Sequence, residues 1–188
     1  MGIKSIAYFC HSNQKMIITR ANLEDIKELN KLVNSAYRGE ESKKGWTTEA
    51  EILDGIRIDE KALMVLLAKP EVTILKLSDQ NGKILGTVCL ELKPDALYLG
   101  MFAVSPLAQG NGIGKSLLFA AENHALENNC NRIVISVISS RIELIDWYSR
   151  HGYVPTGYSI AFDAIEGRFG DPKVVGISLI EMEKVFDM

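Results

Sequence analysis

The segment SPLAQGNGIGKSLLFAAE, residues 105–122, constrains the fold most, because glycines at 110, 112 and 114 separate a β-like run from a helix-like one. Glycine accepts the left-handed backbone of tight turns and lets main chain approach a ligand with no Cβ in the way. The helix that follows directs unpaired first-turn N–H groups and a positive dipole end at the loop. Such an end accepts phosphate, although the same residues also suit a strand-to-helix turn that binds nothing. Two nucleotide loops are each missed by one residue. A G-x-x-x-x-G-K-[ST] loop ending at Gly114-Lys115-Ser116 needs glycine where Gln109 stands. A G-x-G-x-x-G loop starting at Gly110 needs glycine where Lys115 stands. The loop also follows three successive β runs and lies past the middle of the chain, which disfavours the parallel nucleotide-binding folds.

The runs around the loop define the rest. MIIT at 16–19 is β-like, and Leu23, Ile26, Leu29, Leu32 and Val33 then recur at helical spacing. Residues 38–48 read as a loop, Thr47 or Thr48 as the cap of a helix through EAEILDGIR, and KALMVLLAKP as a short helix ended by Pro70. VTILKL and KILGTVCLELK flank Asn81-Gly82, a strong hairpin signal, and ALYLGMFAV makes a third consecutive strand. After the loop, Ile113, Leu117, Leu118, Ala121 and Ala125 form a helical stripe. RIVISVI is a strand, RIELIDWYSRHG a helix ended at Gly152, and YVPTGYSIAF and VVGISLIEMEK are the last two strands. The order argues for one mixed α/β domain over residues 16–188, built around a largely antiparallel sheet, with residues 1–15 as a loosely held extension.

The 188 residues suit one such domain, at 47% hydrophobic and 24% charged. A net charge of −3 gives no bulk attraction to nucleic acid, so any anion site is local. Cys10, Cys89 and Cys130 are odd in number and widely spaced, which reads as reduced thiols in a cytoplasmic protein with no metal site. No apolar run approaches the length of a membrane span, and the first fifteen residues are too polar for a signal peptide.

The stretch YLGMFAVSPLAQGNGIGKSLLFAAENHA closely resembles the acetyl-coenzyme A-binding core of the GNAT superfamily of N-acetyltransferases, whose signature is [Q/R]-x-x-G-x-[G/A] between a strand and a long helix. It reads here Gln109-Gly110-Asn111-Gly112-Ile113-Gly114, and IVISVISSRIELIDWYSRHGYVPTG resembles the second half of that fold. The resemblance implies a sheet splayed at the cofactor, with Gln109 to Lys115 on the coenzyme A pyrophosphate and Phe102, Ala103 and Val104 along the pantetheine arm. It implies direct acetyl transfer from acetyl-coenzyme A, as co-substrate, to an amine of a small molecule or protein. Tyr148 matches the tyrosine that often serves as acid to the leaving thiolate, while its spacing from Leu144 and Ile145 equally describes a packing residue. An asparagine common seven residues earlier is replaced by Arg141, which would meet a coenzyme A phosphate or cap a solvated helix face.

Other roles remain open between alternatives. Glu91 is either a general base in the cleft or a solvated strand-end residue; a water chain would serve as base equally well. His151 reads as a charge at a helix end, His124 as a polar-face residue, and His11 falls in the extension. Arg38, Trp46, Glu49 and Glu51 either line an amine site, with carboxylates attracting a cation, or secure the loop and the next helix. Homodimerisation through the C-terminal strands is compatible with the pattern. A non-catalytic acyl-coenzyme A sensor of the same fold is the competing function.

Overall fold

The computed structural model describes residues 6–9, 15–165 and 170–186. The elements run β1 (Ile6–Phe9), β2 (Lys15–Arg20), α1 (Ile26–Tyr37), α2 (Gly39–Ser42), α3 (Glu60–Leu67), β3 (Val72–Ser78), β4 (Ile84–Leu92) and β5 (Leu97–Val104). They continue with α4 (Ile113–Glu127), β6 (Arg132–Ile138), α5 (Ile142–Arg150), β7 (Val154–Ala161) and β8 (Ser178–Val185). The strands form one sheet in the order β1-β2-β3-β4-β5-β6-β8-β7. Every neighbouring pair is antiparallel except β5 with β6.

Two apolar layers hold helices to the sheet. Leu29, Leu32 and Val33 of α1 and Leu63 of α3 pack with Ile74, Ile84, Met101 and Ala103 on one face. Leu117, Leu118, Ala121 and Ala125 of α4 pack with Leu75, Leu77, Val88, Leu97 and Ile133 on the other, where Tyr148 of α5 joins them. Full burial of each leucine, isoleucine or valine contributes roughly 1.5–3 kcal/mol, so these stripes dominate the stability of the fold.

Four expectations are corrected, the first being the 38–48 loop, which contains the short helix α2. No helix forms over EAEILDGIR: one turn bonds Ile52 and Leu53 N–H to the Glu49 carbonyl, and Gly55 then takes φ +74°. Asp54 N–H bonds instead to the Asp171 carbonyl and Leu53 pairs with Pro172, so tertiary contacts override the helical pattern. Within the segment expected to be loosely held, Ile6–Phe9 pairs with β2 and extends the sheet edge, which satisfies the main chain there. Leu23, expected on the buried stripe, lies in a short 3-10 turn and is exposed. Cys10 and His11 lie outside the described residues.

Two irregularities open the sheet. Thr87 pairs with Ala103 but Cys89 pairs with Gly100, so Val88 alone faces both Met101 and Phe102. This is a β-bulge, and Met101 carries φ +45°, a conformation that costs a non-glycine residue about 1–3 kcal/mol. The parallel pairing of β5 with β6 covers only Leu97–Leu99 against Ile133–Ile135. Beyond it the strands part. The remainder of β5 and the end of β6 form the sides of a wedge.

Candidate active site

A cavity of about 550 Å³ fills that wedge. Its walls are β5 from Tyr98 to Val104, β6 from Ile135 to Ile138, the N-terminal end of α4, the inner face of α5, and residues of the 37–57 segment. At the α4 end, Gly110 and Gly112 have φ of +82° and +78°, and nothing lies within 4 Å of where a Cβ would stand on either. The loop therefore bends left-handed with its main chain facing open space. The first-turn N–H groups of α4, at Ile113, Gly114 and Lys115, have no partner within the helix. A Cβ on Gly114 would stand 3.3 Å from the Trp147 ring, so glycine lets α4 and α5 approach at the mouth of the cavity. An anion of pyrophosphate type fits this cradle of free N–H groups and the Lys115 ammonium.

Gln109 stands at the glycine loop on the cavity wall and also bonds within the protein. Its Nε2 donates to the Val104 carbonyl at 3.3 Å, and its Oε1 accepts from Trp46 N–H. The side chain thus ties the 43–48 loop to β5, and a Cβ on Gly45 would collide with it at 2.8 Å. The Trp46 ring is half-exposed at the cavity wall, so the main chain of Trp46, not its indole, secures the loop.

Midway along the cavity stands Tyr148, 4% exposed. Its ring meets Trp147 and Tyr153 edge-on at 5.1 and 5.4 Å, and Phe102 at 6.4 Å. Tyr148 is therefore packed and cavity-lining together. Burial first, then the neighbouring Tyr37 and Tyr153, raise its pKa well above 10, with Arg141 opposing. The hydroxyl stays protonated at all physiological pH. Facing it, the Tyr37 hydroxyl donates to the Phe102 carbonyl at 3.1 Å and anchors α1 to the bulged strand.

The far end holds a buried ionic cluster. Glu49 Oε2 accepts from Arg38 Nε at 3.4 Å, and Oε1 accepts from an Arg141 terminal nitrogen at 3.2 Å. Arg141 also donates to Thr47 Oγ1 at 2.6 Å, and Thr47 donates to Glu143 Oε1 at 2.7 Å. Arg38 caps the Asp54 and Ile56 carbonyls. Burial pulls the Arg38 pKa down and Glu49 opposes that shift. A carboxylate with both oxygens engaged by arginines positions the 47–57 segment; it is not free to take a proton from an amine. The pairing also explains the failed helix, since Glu49 is drawn inward.

The cavity brings together Arg38, Trp46, Glu49, Phe102, Ala103, Val104, Gln109, Gly110, Gly112, Ile113, Gly114, Lys115 and Tyr148. Asn111 stands apart, its Nδ2 donating to the Ala108 carbonyl at 3.1 Å. Glu91 is opposite Tyr98 across the β4–β5 pair, outside the lining, and bridges to Lys93 at 2.7 Å. Glu51 lies on the surface with Lys43, so it does not attract a cation into the cavity. Arg141 is not a solvated cap but a buried partner of Glu49. His124 is 4% exposed, not on a polar face. His151 lines the cavity, its Nδ1 2.8 Å from the Trp147 carbonyl and its ring 4.2 Å from the Trp147 ring. Tyr37, Arg57, Tyr98 and Trp147 also line the cavity, and Arg57, Tyr98 and Trp147 had no individual role in the sequence reading. Among the described residues, no group of three or more His, Cys, Asp or Glu could hold a metal ion, and no helix is long and apolar enough to cross a membrane.

The profile of the acetyltransferase (GNAT) family matches residues 26–153. A comparison with curated protein sequences returns no match. Solved structures agree on the fold. The ribosomal-protein-S18-alanine N-acetyltransferase of Escherichia coli superposes with a TM-score of 0.66 at 16% identity, over 92% of this chain and 95% of that one. The GNAT domain of S. lividans PAT gives a TM-score of 0.68 at 15% identity, over 97% of each chain. A streptothricin acetyltransferase, described as putative, from Bacillus anthracis str. Ames in complex with acetyl coenzyme A gives 0.54 at 19% identity, over 66% of this chain and 68% of that one.

Proposed function

The chain belongs to the acetyltransferase (GNAT) family, and from that premise we propose that it transfers an acetyl group from acetyl-coenzyme A directly to an amine of a small molecule or protein. One observation carries the reading: a single cavity runs from the N-terminal end of α4, past the protonated Tyr148, to the polar cluster around Glu49. Donors for a diphosphate stand at one end, an acid in the middle, and room for an acceptor at the other.

Bound acetyl-coenzyme A supplies an acyl group activated as a thioester. The N–H groups of Ile113, Gly114 and Lys115 and the Lys115 ammonium hold its pyrophosphate. β5 pairs with β6 only as far as Leu99, so the edge of β5 at Phe102, Ala103 and Val104 that faces β6 is the one whose main chain bonds to the pantetheine arm. A β5 N–H near Phe102 stabilises charge developing on the carbonyl oxygen. Tyr148 donates its proton towards the departing sulfur and leaves room for the thiol. The amine must lose its proton before or during attack. The one carboxylate among the described lining residues, Glu49, is occupied by arginines, so the proton leaves through water entering the open cavity. Residues 16–188 form the catalytic domain, and the free thiols Cys89 and Cys130 suit a cytoplasmic setting. The exposed edge strand β7 offers a route to a homodimer.

Thermal denaturation with ligands tests the binding half of this proposal. Acetyl-coenzyme A raises the melting temperature as its concentration passes the dissociation constant, and ATP does not. Release of free thiol on adding an amine library tests the chemical half. Stabilisation without thiol release from any amine would favour the sensor reading.

A further inference from the structure

The acceptor end of the cavity has one more positive charge than its carboxylates offset, and we infer that the amine substrate carries an anionic group, a carboxylate or phosphonate, that docks on Arg57. This rests on the N-acetyltransferase reading and specifies its substrate class.

Three guanidinium groups line the cavity, those of Arg38, Arg57 and Arg141. Glu49 bridges Arg38 and Arg141. Glu143, just outside, stands 3.7 Å from Arg141 Nε and supplies the second negative charge. Arg57 is left over: among the described residues its guanidinium has no carboxylate and no hydrogen-bond acceptor. It is half-buried and stands 5.3 Å over the Tyr37 ring. A guanidinium drawn partly out of water without a counter-charge is unfavourable, and an anion arriving in the cavity supplies what is missing. Its planar fork of donors matches an oxyanion in two-point geometry.

The support beneath Arg57 sets where that anion sits. Tyr37 is held by its hydroxyl to the Phe102 carbonyl on the bulged strand, so the ring and the cation over it are fixed relative to the reacting end of β5. Arg57 is held from below by its main chain, whose N–H donates to Asn34 Oδ1 at 2.7 Å. The anionic end of the substrate is thus bound at a fixed offset from β5, towards which its amine is presented. A cationic substrate such as a polyamine meets the opposite arrangement.

The test measures kcat/KM by thiol release for matched amines: a panel of amino acids, the same amino acids as carboxamides, and the corresponding aminoalkylphosphonates. The expected result is a preference of at least tenfold for carboxylate or phosphonate over carboxamide in the best pair. In Arg57→Gln that ratio falls towards one, and Arg57→Lys, which keeps the charge, restores part of it. Acetyl-coenzyme A affinity is measured on each variant by calorimetry to show an intact fold and cofactor site. Turnover of carboxamides as fast as carboxylates, or a preference unchanged in Arg57→Gln, overturns the inference while leaving the transferase reading intact. Thiol release from neither series, nor from any amine in the wider library, overturns both.

Discussion

Replacing Glu49 by Gln removes one charge and almost no volume, and it isolates what the buried cluster contributes. Side-chain exposure is 7% for Glu49, 5% for Arg38 and 8% for Arg141, so water screens the two cations left behind only weakly. Removing one partner of a buried ion pair costs about 3–5 kcal/mol, chiefly because the remaining charge stays buried and uncompensated. Against a total stability of roughly 5–15 kcal/mol that is a large fraction. At about 2–4 °C per kcal/mol for a chain of this size, the melting temperature falls by roughly 6–20 °C. Scanning calorimetry of Glu49→Gln beside Glu51→Gln provides the measurement and its control. Glu51 is exposed and pairs with surface Lys43, so its variant melts close to the parent. Adding Arg141→Gln to Glu49→Gln recovers part of the loss, because one buried cation leaves with its partner. A Glu49→Gln variant that melts no lower than Glu51→Gln refutes the ion-cluster argument, and with it the explanation for why residues 49–57 fail to form a helix.

Other consequences are independent of that cluster. Tyr148→Phe lowers kcat about 100-fold or more while acetyl-coenzyme A affinity and melting temperature hold, as expected of a proton donor in a packed position; unchanged kcat removes it from the chemistry. His124 is buried with Nδ1 unpartnered, and burial, then Arg20, hold its pKa below the usual 6.5. The unfolded chain therefore takes up this proton first, so the stability His124 contributes is present above about pH 6.5 and is lost as the pH falls below it. Melting curves from pH 8 to 5 should show His124→Gln less acid-sensitive than the parent, and parallel slopes would contradict the assignment. Burial, then Glu91, push the Cys89 thiol up to about 11. At pH 8 its thiolate fraction is then about 0.001, against about 0.24 for an ordinary thiol, so alkylation followed by peptide mass spectrometry finds Cys89 at least 100-fold slower than a free thiol; comparable rates would refute its burial.

Local signals in the chain gave the element order from β2 onward, apart from the short α2 and the helix expected over EAEILDGIR. Apolar spacing marked α1 and α4, Asn81-Gly82 marked the β3–β4 turn, and the glycine triplet marked the α4 N-terminus, because each is a property of residues adjacent in sequence. The features that escaped depend on partners far away. Arg141 follows a strand and opens a helix, which says nothing of Glu49, 92 positions distant, and only that pairing makes it a buried residue. Residues 49–57 carry a helix pattern that the same pairing overrides. Gln109 reads as a phosphate donor from the motif, yet its amide is engaged by Trp46 and Val104, a contact spanning 63 positions in the first case. Arg57 has no motif at all; its stacking on Tyr37 appears once α1 is laid against β5. His124 was within reach, since it falls seven residues after Leu117 and so on the buried stripe of α4.

Titration calorimetry of acetyl-coenzyme A into the folded chain tests the central claim most directly. The account predicts saturable binding at one site, weakened in Lys115→Ala and in Gly112→Ala, whose φ of +78° an alanine adopts only under strain. Absence of any binding heat from either acetylated or free coenzyme A, on material that melts cooperatively, would contradict it.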